Sequence, residues 1–540
     1  MKRIICMILC LILALSILSA CGSTADTDKS AASTVSAATN AAAEEELPET
    51  FLTPAKEPVE FRYMVRENYL SSKPFSSQLP VWQEIEKLTN IKIKWEAYPP
   101  EGFEDVITTT MAAGADLPDI ISNWGFDSKY AQGGLILELN SLIEKNAPNI
   151  TKLMQEMPIY KAEMSDPEGK IWKVNGIIPS MDYKHGYIIN KTWLDKLSLN
   201  VPTTMDEMNT VLRAFRDNDP NANEKKDEVP FALRGWFQSW YMALSYNSFP
   251  MKAFAPDANG KMQYECTTDS FKSWLENVNI WYTEKLMDQN FATTNYDNYI
   301  AMITNDLIGL TLDEISETDK LNKANPKAHW IPIQYPVGPS GQPVKILNLS
   351  PVSGQCAVIT NSCTDPDTAM KFIDFVLASE KGKLLMNYGL EGQSYNMVDG
   401  KPVYTELVTK NPDGMSALDT LNSLGAYVQW SVPMMSSADM TAATTSEEVR
   451  KFNDEVRRNT PYVDLYNAYG GPMTPAESDA FWKAFEPVYT YKDEMVMKFI
   501  MGKEPFSKWQ EYKIKHEEVG VQKCIDMEQA AYDKFLSLMK

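Results

Sequence analysis

The sequence predicts an α/β fold built around more than one hydrophobic core, with a helical C-terminal extension. Three observations carry this. Roughly 480 residues follow an N-terminal leader and tether, too many for a single core. The body opens with strand and helix patterns in alternation, which is how a mostly parallel sheet with helices over its faces is written. From about Thr474 helical periodicity takes over, broken at Gly502 to Pro505 and near Gly520.

The leader comes first. Lys2 and Arg3 precede an apolar run from Ile4 to Leu18, too short to span a bilayer but right for a signal peptide over residues 1–20. Leu18-Ser19-Ala20-Cys21-Gly22 resembles the lipobox of bacterial lipoproteins, which implies cleavage before Cys21 and a lipid on its thiol. More than one acyl chain there would make the membrane tether lasting. Residues 21–56 are rich in Ala, Ser, Thr and Glu and cannot bury a core, so a disordered tether is expected.

The body then alternates. Val59, Phe61, Tyr63 and Val65 fall on one face of a strand. Val81, Ile85 and Leu88 stripe a helix, Ile91, Ile93 and Trp95 form a second strand, and Phe103 to Met111 a second helix. Asp119 to Ser122 gives a third strand. Ligands in such sheets sit beyond the carboxyl ends of the strands. Two loops fall there, Arg66 to Tyr69 and Asn123 to Gly125. Further on, Tyr187 to Ile189 is a short strand. Thr204 with Glu207 is a capping box, and Met205, Met208, Leu212 and Phe215 are the buried stripe behind it. Asp365-Pro366 starts another helix with a cap and a first-turn proline.

A net charge of −21 opposes binding to nucleic acid or to anionic membranes through the protein surface. Cys266, Cys356, Cys363 and Cys524 remain in the mature chain; export permits disulfides, and buried free thiols are equally compatible with their spacing. There is no GxSxG, HExxH or P-loop, and three histidines leave little for imidazole chemistry.

Several segments together resemble family 1 extracellular solute-binding proteins, in particular the large lipoprotein branch that includes the alginate-oligosaccharide-binding proteins. These are Met111 to Asp119, Ile189 to Leu197 followed by Val201 to Thr204, Asp365 to Tyr395 with its Gly-x-Glu-Gly turn, and Glu528 to Asp533. The resemblance implies a periplasmic-binding-protein-like fold of two discontinuous lobes joined by hinge strands. The first lobe is expected over 57–180 and 350–400, the second over 181–349 and 401–540. Crossings are expected near Ile178 to Gly186 and between Pro339 and Ser353. Glu391 and Tyr395 are read as serving their own turn.

Between Asp219 and Glu228 an oxygen donor stands at every second position, a spacing that can wrap Ca²⁺. In the alginate-binding relatives the matching loop holds Ca²⁺. The resemblance therefore implies a structural ion on Asp219, Asn221, Asn223, Asp227 and Glu228, with the backbone carbonyl of Lys225. The loop departs from the pattern at Ala222 and Glu224, where glycine is usual, and at Pro230, where a bidentate Glu would stand. A polar surface turn capping neighbouring helices has the same composition.

A sugar cleft needs exposed aromatic faces for C–H surfaces beside polar groups for hydroxyls. Trp82 and Trp274, at helical spacing, read as core. The loop-borne candidates are Arg66, Asn68, Trp124, Trp236, Trp240, Asp313 with Glu314, and Trp430. For each of them packing is the competing role. The functional expectation is a non-catalytic, monomeric binding lipoprotein of an ABC importer, which closes its lobes on an oligosaccharide and delivers it to the permease transmembrane subunits. An exported glycoside hydrolase would need two facing carboxylates, and a ligand-presenting sensor would share the binder's fold.

Overall fold

Every second residue of the first strand is apolar, and that period sets its two faces. In a computed structural model of the chain, Phe61, Tyr63 and Val65 enter one core while Met64 points to the other side of the sheet. The structure describes residues 57–67, 74–126, 129–178, 185–236, 239–257, 259–348, 350–459, 462–464 and 473–540. Pro48–Lys540 is one compact unit; the other, Met1–Leu47, and with it the leader and Cys21, lies outside the described residues, as does the rest of the expected tether.

Two sheets organise the body. Their strands are β1 (Val59–Arg66), β2 (Ile91–Tyr98), β3 (Ile120–Trp124), β4 (Val174–Ile177), β5 (His185–Asn190), β6 (Val229–Phe231), β7 (Ile308–Glu314), β8 (Trp330–Ile333) and β9 (Val352–Ile359). The first sheet runs β2-β1-β3-β9-β4 and the second β8-β5-β7-β6. β1 pairs in parallel with β2 and β3, as the alternating pattern predicts. β9 arrives from far along the chain and lies antiparallel between β3 and β4. The Asp119 carboxylate accepts the Arg62 backbone N–H at 2.8 Å, and its carbonyl accepts that of Thr360 at 3.0 Å. This one residue therefore ties the start of β3 to both neighbouring strands.

Helices α1 (Pro80–Thr89), α2 (Phe103–Ala113), α3 (Met205–Asp217), α4 (Asp269–Thr283), α5 (Pro366–Ala378), α6 (Pro475–Ile500) and α7 (Val521–Leu538) cover the sheets. α3 and α6 both open with a complete capping box, Thr204 with Glu207 and Thr474 with Glu477. α5 opens on Asp365, whose side chain accepts the Thr368 N–H, with Pro366 in the first turn.

The first core gathers Trp82 and Ile85 from α1 with Phe372 and Ile373 from α5. The second gathers Trp193, Phe215, Trp274, Trp281 and Trp330 with Phe485 and Phe499 from α6. The expected boundary at residue 400 moves. Val408, Leu421, Val428, Val432 and Met434 pack in the first core, not the second. The reason is local: the Tyr427 N–H donates to Met386 O, and Ile177 N–H at the end of β4 donates to Met434 O at 2.8 Å. Only beyond this stretch does the chain reach the second core, with Val449 and Val456. α7 then spans back, setting Phe535 against Ile159 and Ala162. Cys266, Cys356, Cys363 and Cys524 are buried free thiols. Tyr395 is buried, and Gly392 N–H closes the turn onto its carbonyl at 2.8 Å. Among the described residues no helix is long and apolar enough to cross a membrane.

Candidate functional site

Strand direction brings the candidate residues to two edges. β3 and β4 both run antiparallel to β9, so Trp124 and Ile177 end at the same edge, the one from which the chain leaves the first sheet. In the second sheet His185, the first residue of β5, pairs with Glu314, the last of β7. β6 runs parallel to β7, so the residues after Phe231 reach that edge too. The carboxyl ends of β3, β4, β6 and β7 gather at these edges, and ligands in open sheets collect beyond such ends.

The first lobe presents aromatic surface. The Trp124 side chain is 48% exposed and stacks on Trp430, with ring centroids 5.5 Å apart and planes 25° from parallel. Arg66 Nη2 donates to the Trp430 carbonyl at 3.4 Å. The turn that carries Trp430 is anchored from beneath, where buried Gln355 donates from Nε2 to Ser431 O at 3.1 Å. Asn123, next to Trp124, is buried and donates to Glu104 Oε2 at 3.2 Å. Asn68 lies outside the described residues.

The second lobe presents charge. Asp313 is 1% exposed, and Arg234 Nη2 stands 3.2 Å from its Oδ1. Burial pushes the Asp313 carboxyl up to about 7, against the pull of the Arg234 guanidinium. Tyr296 is 46% exposed nearby, its phenol raised by burial and by Glu317, which pairs with Lys320 at 2.7 Å. At the start of β5 the His185 and Tyr241 rings stack face to face at 3.9 Å. Trp236 and Trp240 are half-buried and packed on the second core. Trp236 meets Phe291 at 4.7 Å, and Trp240 lies between Trp274 at 5.6 Å and the Lys492 ammonium at 4.8 Å.

The Asp219 to Glu228 loop folds around its own oxygens. Asp219 accepts the N–H groups of Asn223 and Glu224 at 3.0 and 2.8 Å, and Asn223 Oδ1 accepts that of Lys225 at 2.8 Å. The amides of Asn221 and Asn223 both reach Asp227. Ala222 and Glu224 take left-handed backbone angles, φ 58° and 62°. The loop thus keeps a shape that favours glycine at the two positions where the sequence has none. Both Glu228 carboxylate oxygens are buried; the backbone N–H groups of Asp227 and Glu228 lie close, and among the described residues neither oxygen has a well-formed hydrogen bond. Burial first, then the charges of Asp219 and Asp227, hold that carboxyl above its usual range. Among the described residues no group of three or more His, Cys, Asp or Glu side chains converges as metal ligands. The loop's remaining donors are amides and a backbone carbonyl, which calcium accepts.

Residues 74–383, more than half of the chain, match the model of the bacterial extracellular solute-binding protein family. The chain belongs to that family. It is 28% identical over 304 residues to the fructooligosaccharide ABC transporter substrate-binding protein FusA of Streptococcus pneumoniae serotype 4, across 54% of this chain and 55% of that one. The match therefore spans about half the length of that curated relative. The crystal structure of alginate-binding protein AlgQ2 without calcium ion is similar over 89% of this chain and 99% of its own, with a TM-score of 0.73 and 26% identity. An EF-hand mutant of FusA in complex with fructo-nystose shares the fold, with a TM-score of 0.71 and 22% identity over 88% of this chain and 99% of its own.

Set in a solute-binding fold of two lobes, the sequence candidates divide. Trp124, Trp430 and Arg66 come together. Asp313 joins a partner that sequence reasoning passed over: Arg234 sits two residues before Trp236, and nothing in a linear pattern pairs it with the end of β7. Tyr296, His185 and Tyr241 were also missed. Tyr296 and His185 each open an element and Tyr241 lies in the four-residue helix Ser239–Met242, and a place beside a chain crossing or a loop is the signal that could have found them.

Proposed function

We propose that this chain is the substrate-binding lipoprotein of an ABC importer, capturing an oligosaccharide between its lobes and handing it to the permease. The observation that carries the reading is the half-exposed Trp124 stacked on the partly buried Trp430 beside Arg66 at the crossing edge of the first sheet. Indole faces cover the apolar C–H surface of sugar rings, and guanidinium and carboxylate groups bond hydroxyls. Arg234, backed by the buried Asp313 carboxyl, and Tyr296 supply a guanidinium and a phenol at the crossing edge of the second sheet. Sugar held by one edge and then touched by the other favours the closed arrangement of the lobes. No bond is made or broken in this cycle. The oligosaccharide class is supported by what FusA and AlgQ2 are named for binding.

The Asp219 loop suits a structural Ca²⁺. Asp219, Asn221, Asn223, Asp227, Glu228 and the Lys225 carbonyl would hold it, and the ion would neutralise the buried Glu228 carboxylate. Its role is to fix the loop between α3 and β6. Lipid on Cys21 anchors the protein at the outer face of the membrane, and the Leu18-Ser19-Ala20-Cys21 sequence supports that.

The test is a thermal-shift screen of the full chain in detergent against 1-kestose, raffinose, alginate trisaccharide and trigalacturonate, with and without EDTA. A sugar at a hundred times its dissociation constant raises stability by about 2.7 kcal/mol. A sugar hit without cleavage, together with a lower melting point in EDTA, is the expected outcome. Cleavage of the sugar would make the protein a hydrolase. Small-angle scattering that stays the same on saturation would remove lobe closure.

A further inference from the structure

We propose that Gly354 is a positioning residue for sugar capture, holding open the space in which the Trp124 indole lies across β9 to stack with Trp430. This rests on the reading of that aromatic pair as a sugar platform. Gly354 precedes Gln355, the cross-strand partner of Trp124, and its carbonyl accepts the Gly125 N–H at 3.0 Å. A Cβ on Gly354 would stand 2.6 Å from Trp124 Nε1 and 2.8 Å from Cζ2, and closer still to Cε2. Carbon contacts are comfortable only beyond about 3.5 Å, so any side chain here pushes the indole away. The obstacle is backbone-borne and cannot rotate aside.

Backbone conformation does not explain the glycine, because Gly354 is not in the left-handed region. Core packing does not explain it either, because the ring it admits is half in solvent. What the missing side chain secures is one orientation of an exposed indole. Fixing a binding ring before its ligand arrives is what preorganisation requires.

The test uses the full chain and has one arm that needs no sugar. Stacked indoles couple their transitions, so the circular-dichroism difference between the parent and Trp430→Phe isolates the Trp124–Trp430 couplet. Gly354→Ala should abolish that couplet and weaken binding of 1-kestose or alginate trisaccharide, whichever the parent binds, by about tenfold. Trp124→Ala is the second variant, since without the ring there is room for a Cβ at 354. Gly354→Ala added to Trp124→Ala should fold and change the remaining affinity by less than about twofold. An unchanged couplet in Gly354→Ala, or an undiminished loss of affinity in the Trp124→Ala background, overturns the proposal. Loss of the couplet in a protein whose parent binds neither sugar faults the oligosaccharide reading alone.

Discussion

Two strand glycines lie under aromatic rings, one in each sheet, and the rings meet opposite fates. A Cβ on Gly309 in β7 would stand 2.6 Å from Phe215 Cε2 and 2.7 Å from Trp193 Cε3, and both of those side chains are fully buried. Gly354 in β9 admits Trp124 in the same way, yet that ring stays half in water. The local device is shared and the consequence is set by position. In the middle of the second sheet a missing side chain lets two large rings fill a core. At the rim of the first it presents a ring to whatever enters.

Four substitutions can break or sharpen this contrast. Gly309→Ala should have the largest effect, a loss of about 3 kcal/mol from overpacking, read by denaturant melting, with sugar affinity of the folded protein unchanged. A loss well under about 1 kcal/mol would erase the distinction between the two glycines. Arg234→Met comes next. The folded Asp313 carboxyl is already raised to about 7, so its contribution is complete below the ordinary carboxylate range and declines as pH rises through that value. Without the guanidinium the carboxyl climbs further. The variant should therefore lose about 2 kcal/mol at pH 8 and much less at pH 6; equal losses at the two pH values would show that the pair's charge is not what matters. Trp124→Ala should weaken sugar binding about tenfold and leave the melting temperature in place, because half of that ring is already solvated; a calorimetric titration and one melting curve decide it. Thr204→Ala is the smallest, about 1 kcal/mol for the cap of α3, with affinity untouched. A change in affinity there would mean that the second lobe's helices are coupled to its rim.

Local elements were legible to within a few residues. The alternation at Val59 to Val65, the Thr204–Glu207 box, the Asp365-Pro366 start and the breaks at Gly502 and Gly520 are signals carried by neighbours in sequence, and each matches an element boundary. What was not legible depends on partners far apart. No pattern in Val352–Ile359 says that it belongs between β3 and β4. None says that Val408 to Met434 returns to the first core before the chain leaves for the second. The site divides in the same way. Trp124 is legible from the strand before it and Trp430 from its place in a loop, but their stacking joins segments about three hundred residues apart, and sequence spacing carries no record of it. Trp236 and Trp240 share the loop signal, yet Phe291, Trp274 and Lys492 give them packing partners that only the fold reveals.

The insertion of β9 also fixes an order of events. When residues up to Ile177 have emerged, β3 and β4 are both made, but the strand that pairs with each of them has not yet been synthesised. Pairing over so long an interval is slow, and unpaired strand edges recruit other chains. The lobe that begins the sequence is therefore finished late, and the rim that carries Trp124 acquires its underlying Gly354 only then. An isolated N-terminal fragment would keep that gap open, where the matching strand of a second copy could enter it.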